Sequence, residues 1–251
     1  MTTNEVTALL EASTTQKPPL CIGTIMLPLE HMDVFYKDVG SVSQQSENDL
    51  KLLAKACDPT TFGTEQRDIF DESYRKAGEM DIANFSVKFD LGEARLIERL
   101  RSKHIRVELY KLNVNGKNSF FKAHKDTRRN ETIFGSLVVV YPTRHEGGAL
   151  LLRHGGNEWT FDSTEAVRNY DGPAIAYIVF YSDVEHEVTI VQSGYRVTLT
   201  YNLYFKGDHR LPLYSPFSNL SHQTIKFSSL HSSRLSKVPL SSPKEVFRGS
   251  A

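Results

Sequence analysis

Apolar and polar residues alternate through much of the second half of the chain, in short runs cut by turn residues. Alternation of period two marks strands that bury one face. The runs fall at 105–114 (IRVELYKLNV), 120–126, 134–142, 148–154, 158–162, 174–182, 186–191 and 195–205. Asn-Gly, Gly-Gly and Ser-Gly pairs punctuate them, as hairpin turns require. About eight strands at this spacing predict a double-sheet jelly roll. Before residue 105 the pattern is mixed. Strands are expected at 20–27 and 84–90, and helical spacing appears at 46–57, 64–78 and 92–104. Ser46 can cap the first helix, Lys76 and Gly78 can end the second, and Leu96, Ile97 and Leu100 form a stripe on the third. The expected fold class is therefore α+β, with the N-terminal helices packed on the outside of a jelly roll. Residues 1–19, closing on Pro18 and Pro19, read as a flexible leader, and 20–104 as a supporting region. Residues 105–205 form the core, and the Ser-rich stretch 206–251 reads as a poorly ordered tail.

Composition narrows the class only a little. With 251 residues, 39% hydrophobic and 24% charged, the chain suits one large soluble domain. Lys+Arg and Asp+Glu balance at 30 each, so bulk charge gives no reason to expect nucleic acid or an anionic membrane as partner. Cys21 and Cys57 are too few for a disulfide framework or a structural zinc site. No apolar run approaches the roughly 18–20 residues of a membrane span, and the start lacks the layout of a signal peptide. An intracellular protein, cytoplasmic or nuclear, is expected.

The chemistry lies in "SFFKAHKDTRR", residues 119–129. On a strand His124 and Asp126 point the same way, aiming an imidazole and a carboxylate at one spot. His186 opens a later strand in "FYSDVEHEVTIV". Two histidines and a carboxylate make a facial triad, which holds Fe(II) on one face and leaves the other open to substrates and O₂. Arg196 follows on the next strand, across Ser193-Gly194, with Thr198 on its face. A guanidinium beside a hydroxyl suits a carboxylate, and an arginine in an apolar barrel is costly to bury without an anion. A dicarboxylate cosubstrate would reach from iron to Arg196.

These stretches ("YKLNVNGKNSFFKAHKDT", "GGALLLRH", "FYSDVEHEV" and "GYRVTLTYNLYF", in that order) resemble the 2-oxoglutarate- and Fe(II)-dependent dioxygenase superfamily, closest to its prolyl 4-hydroxylase-like branch. The resemblance covers about 105–205 and implies a double-stranded β-helix. It implies that His124, Asp126 and His186 bind Fe(II), and that Arg196 with Thr198 binds the distal carboxylate of 2-oxoglutarate. Tyr110 matches a family tyrosine near the cosubstrate. A second such tyrosine has its counterpart displaced here, to Tyr141 in "SLVVVYP". O₂ is the cosubstrate, succinate and CO₂ the coproducts, and ascorbate a reductant. The implied reaction is hydroxylation, or another oxidation, of an unactivated C–H bond. A peptidyl proline is the substrate suggested by the branch, and a free amino acid or secondary metabolite fits the same core.

A non-catalytic jelly-roll binding protein is the rival reading, and an intact triad with Arg196 argues against it. A cupin-type site would want a histidine where Asp126 stands, and no G-x-S-x-G supports a hydrolase. Of the remaining polar residues, His145 and His154 are expected in solvent, as are Arg128 and Arg129 at the rim of the pocket. His209, His222 and His231 are read as polar tail residues, and Trp159 as a packing residue.

Overall fold

The computed structural model describes residues 18–36, 40–42, 46–63, 68–91, 96, 105–126, 132–168, 170, 172–206 and 223–226. Strand β1 (Leu20–Met26) is followed by a 3-10 turn at Leu29–His31 and by the short strands β2 (Val34–Tyr36) and β3 (Gly40–Val42). Helix α1 (Glu47–Ala56) begins where the Ser46 side chain accepts from the Asp49 N–H at 3.5 Å, and it buries Leu50 and Leu53. Short strands β4 (Asp58–Pro59), β5 (Phe62–Gly63), β6 (Asp68–Ile69), β7 (Arg75–Lys76), β8 (Gly78–Asp81) and β9 (Phe85–Val87) follow. The second half runs through β10 (Ile105–Asn115), β11 (Phe120–His124), β12 (Ile133–Val140), β13 (His145–Gly147), β14 (Leu150–His154) and β15 (Asn157–Phe161). It continues with helix α2 (Ser163–Arg168), β16 (Ala174–Tyr181), β17 (Glu185–Val188), β18 (Val191–Gly194), β19 (Arg196–Phe205) and β20 (Gln223–Lys226).

Two sheets carry the architecture of a double-stranded β-helix. The larger has the order β20-β1-β16-β12-β19-β10-β8-β4, and the smaller β15-β14-β17-β11-β7. Every pairing in them is antiparallel except that of β20 with β1. The apolar run of β16 is explained by burial on both faces. Ile175, Tyr177 and Val179 join one core cluster, while Ala176, Ile178 and Phe180 join another with Leu150, Leu152 and Phe161 of the smaller sheet. Strand β19 is buried on both sides too, but its faces differ in chemistry. Val197, Leu199, Tyr201 and Leu203 enter the first cluster, which also holds Leu50 and Leu53 of α1. Arg196, Thr198, Thr200 and Asn202 face a cavity instead. The same alternation sets Leu112 and Val114 of β10 against Lys111, Asn113 and Asn115.

The segment 64–78, expected as a helix, is not one. Where it is described it gives β6, a turn and β7. Asp71 causes this: its carboxylate accepts from the Ser73 N–H at 2.8 Å and its carbonyl from Tyr74 and Arg75 at 3.0 Å. A side chain that competes for backbone donors favours a turn over a helix. Phe70, the large apolar residue of this stretch, is 56% exposed. Of the helix expected at 92–104 only Leu96 lies among the described residues, helical and fully buried. Within the stretch read as a tail, Gln223–Lys226 pairs with Gly23–Met26 as β20. Residues 207–222 and 227–251, like 1–17, lie outside the described residues. Among the described residues no helix is long and apolar enough to cross a membrane.

Gly135 marks the close approach of β12 to β16. A Cβ there would stand 2.4 Å from the Phe180 carbonyl oxygen, beside the register shift between β12 and β19. Backbone cannot swing aside as a flexible side chain can. Gly135→Ala is therefore expected to destabilise the protein by about 1–3 kcal/mol, the usual range for overpacking. Urea unfolding measures this, and an unchanged midpoint would show that the strands separate freely.

Candidate functional site

Cross-strand pairing brings the two histidines together. His124 of β11 lies directly opposite His186 of β17, with ring centroids 4.2 Å apart. Phe121 stacks on the His124 ring at 3.5 Å, and Phe180 lies 4.8 Å from the His186 ring. Asp126, just past the end of β11, places Oδ1 3.6 Å from His186 Nε2. One ligand atom from each of His124, Asp126 and His186 falls within 4.8 Å of the others. The expected trio is thus assembled in space from two strands and the residue after one of them.

Each group is held for this arrangement. His124 Nδ1 is 2.8 Å from the Lys122 carbonyl oxygen and His186 Nδ1 is 3.1 Å from that of Val184. A carbonyl only accepts, so each Nδ1 carries the proton and each Nε2 keeps its lone pair. Ser136 Oγ donates to Asp126 Oδ2 at 2.6 Å, leaving Oδ1 toward the histidines. Burial, reinforced by the His186 imidazole, pushes the His124 pKa down to about 3, against the Lys122 carbonyl and Asp126. The ring is neutral at ordinary pH, as a metal ligand must be. Two imidazole nitrogens and a carboxylate oxygen fit a redox-active Fe(II).

The trio opens into a cavity of about 370 Å³ between the sheets. Val138, Leu150 and Phe180 form part of its wall, and Arg196, Thr198 and Tyr110 also line it. Arg196 is 3% exposed, and its Nε has no hydrogen-bond partner among the described residues. Burial draws the Arg196 pKa down to about 10, with the Asp162 carboxylate opposing. Gly148, at φ +70°, lets this side chain pass: a Cβ there would lie 3.0 Å from Arg196 Cδ. Tyr110 reaches the cavity because β10 bulges between Leu109 and Lys111, so that Tyr110 and Lys111 both line it. Tyr141 is fully buried in the first core cluster, outside the cavity lining.

Some residues stand elsewhere than expected. His145 is not in solvent but buried, its Nδ1 2.8 Å from the Thr143 carbonyl and its Nε2 3.3 Å from Thr164 Oγ1. Burial, and Arg196 after it, lowers its pKa. The first turn of α2, which carries Thr164, lies against it, and local polarity could not reveal this. His154 lies 3.3 Å from Asp183, partly exposed. Trp159 packs against the second cluster. Arg128, Arg129, His209, His222 and His231 lie outside the described residues. Sequence reasoning missed Ser136, a lone hydroxyl in an apolar run, and Asn113, Asn115, Thr200 and Asn202, which period two would have found. It also missed Arg75, concealed by the helical reading of its segment.

Residues 109–204 match the model of the 2OG-Fe(II) oxygenase superfamily. No curated protein matches the chain. Solved structures give distant likenesses. A prolyl hydroxylase from Trichoplax adhaerens, solved with a hypoxia inducible factor oxygen degradation domain peptide fragment, is 17% identical over 82% of this chain and 94% of its own, with TM-score 0.46. A prolyl-4-hydroxylase from Pseudomonas putida is 16% identical over 71% and 96%, with TM-score 0.40. A 2OG-Fe(II) oxygenase family oxidoreductase from Burkholderia pseudomallei is 18% identical over 81% and 94%, with TM-score 0.39. At such scores the assignment rests on the sequence match. That match spans both histidines, Asp126 and Arg196, and makes residues 109–204 similar to the 2OG-Fe(II) oxygenase superfamily.

Proposed function

We propose that the protein is a dioxygenase that oxidises an unactivated C–H bond of a peptide or small molecule, consuming 2-oxoglutarate and O₂ and giving succinate and CO₂. The observation that supports this most is the convergence on one cavity of a two-histidine, one-carboxylate cluster and a buried arginine whose Nε has no partner among the described residues. The family that residues 109–204 match brings Fe(II), 2-oxoglutarate and O₂ as cofactor and cosubstrates.

In this reading His124 Nε2, His186 Nε2 and Asp126 Oδ1 hold the iron, which supplies the redox chemistry with O₂ when bound. The chain's own work is positioning. The Lys122 and Val184 carbonyls fix the imidazole tautomers, and Ser136 fixes the carboxylate. Arg196 and Thr198 grip the distal carboxylate of 2-oxoglutarate, with Tyr110 on the same cavity wall. Val138, Leu150 and Phe180 keep water from the reacting end. A peptidyl proline and a free amino acid both satisfy this scheme, since these contacts concern the iron and cosubstrate.

His124→Ala, Asp126→Ala and His186→Ala are each expected to abolish tight Fe(II) binding and turnover with the secondary structure intact. Anaerobic iron titration beside far-UV circular dichroism checks this, and full affinity in the His186 variant would overturn the assignment. Ser136→Ala removes only the hydroxyl that orients Asp126, so its iron affinity should fall by roughly 10–100-fold, as for other outer-sphere partners. Equal affinity in that titration would show that Asp126 holds its rotamer unaided. Arg196→Lys keeps the charge but loses the planar fork. Its KM for 2-oxoglutarate should rise about tenfold or more while iron affinity is little altered. An unchanged KM would place the cosubstrate carboxylate elsewhere.

A further inference from the structure

At the rim of the cavity two cations share one carboxylate. Glu79 of β8 accepts from Lys111 Nζ at 2.6 Å, and Arg75 Nη1 stands 3.8 Å from its other oxygen. The Arg75, Glu79 and Lys111 side chains are 16%, 12% and 16% exposed, so solvent screens the surplus positive charge poorly. Lys111 holds the close ion pair. The hydrogen bonds of Arg75 go to neutral acceptors, from Nη1 to the Thr61 carbonyl at 2.8 Å and from Nη2 to Asn113 Oδ1 at 3.1 Å. Asp126 is the acid on the cavity lining, and in the reading above its charge belongs to the iron.

Geometry gives this cation a fixed relation to the reacting centre. The Arg75 guanidinium lies 4.4 Å over the Phe121 ring, and the other stacking partner of Phe121 is His124 at 3.5 Å. A planar, preorganised donor therefore sits one aromatic ring from an iron ligand, facing the same cavity. Asn113 in turn donates to Thr200 Oγ1 at 3.1 Å, which ties the position of Arg75 to β19.

We propose that Arg75 binds a carboxylate of the substrate, which makes the substrate a carboxylic acid oriented by that group with its oxidised carbon toward the histidines. This inference rests on the oxygenase reading of the site. Arg196 takes the cosubstrate, and Arg75 takes the substrate.

The test uses the full chain and measures binding by calorimetry, anaerobically with Fe(II) and 2-oxoglutarate and again in the metal-free chain. One arm titrates N-acetyl amino acids beside their methyl esters. A second titrates N-acetyl glutamate and aspartate amides beside the glutamine and asparagine compounds, to separate a free acid from an acidic side chain. In one arm or the other, acids should bind about tenfold or more tighter than their neutral counterparts. In Arg75→Gln that ratio should fall to near one, and in Arg75→Lys it should be partly kept. A purely structural Arg75 would lower the melting temperature of its variants and leave the ratio alone. Equal binding of acids and neutral forms by the wild-type chain would overturn the proposal, as would no acid binding or a ratio retained in Arg75→Gln. A 2-oxoglutarate affinity that falls in Arg75→Gln as far as the acid affinity would reassign Arg75 to the cosubstrate. Failure of the oxygenase reading shows separately, as iron binding indifferent to the triad variants, and the metal-free titrations still report the acid-to-ester ratio.

Discussion

Burial of the Arg196 guanidinium is the constraint around which the core is organised. Holding an ion out of water costs several kcal/mol after relaxation, and here the side chain is 3% exposed with its Nε unpartnered among the described residues. The register of β19 leaves it no other place. Val197, Leu199, Tyr201 and Leu203 on the alternate positions are buried in the outer core, and β10 and β12 pair with β19 on its two sides. A slip of one residue would put the charge into that core and the valine into the cavity. The hydrophobic stabilisation of one face of the strand thus keeps a charge on the other. An anion entering the cavity would recover part of that cost.

The histidine pair follows a related logic at the other sheet. Two imidazoles 4.2 Å apart, between Phe121 and Phe180, lie where a proton on His124 is strongly disfavoured. Charging one ring raises the cost of charging the other, and burial adds to it. The backbone carbonyls of Lys122 and Val184, each two residues back along the chain, then decide which nitrogen keeps the proton. The same i–2 geometry orients His145, whose Nδ1 meets the Thr143 carbonyl. At the Nε2 of His145 stands the Thr164 hydroxyl, where His186 has the Asp126 carboxylate. Local backbone geometry can fix the tautomer of one histidine, but it takes the long-range pairing of β11 with β17 to bring two of them together.

This division explains what the sequence disclosed. Strands such as β16 and β19 were legible almost to the residue, because burial on one or both faces imposes a pattern of apolar positions that turn glycines bracket. His124, His186 and Arg196 were legible because a polar residue at an inward position of such a strand needs a reason, and Asp126 because it follows His124 by two. The segment 64–78 was misread because Asp71 closes a turn with its own carboxylate, a choice that apolar periodicity does not register. Two-residue strands such as β7 have no period at all. Their existence is settled by partners such as β11, distant in the chain. Arg75 was therefore invisible, although it lines the same cavity as the residues that were found. The parallel pairing of β20 with β1 escaped for the same reason, since four polar and apolar residues in a Ser-rich stretch carry no strand signature.

The two arginines of the cavity consequently differ in how firmly the fold holds them. Arg196 begins a ten-residue strand in the interior of the larger sheet, paired on its β10 side from its first residue. Arg75 lies on β7, an edge strand of the smaller sheet matched to β11 only through Phe120 and Phe121. Its position depends on its own hydrogen bonds to Thr61 and Asn113 and on the face of Phe121, more than on a ladder. Edge elements with few buried contacts open and shift at lower free energy than central strands. A change at this edge can then be absorbed by re-aiming β7 and its turn, while His124 and His186 on β11 and β17 and Arg196 on β19 stay in register. The β7 edge is where such a fold can alter the lining of its cavity without disturbing the histidine pair.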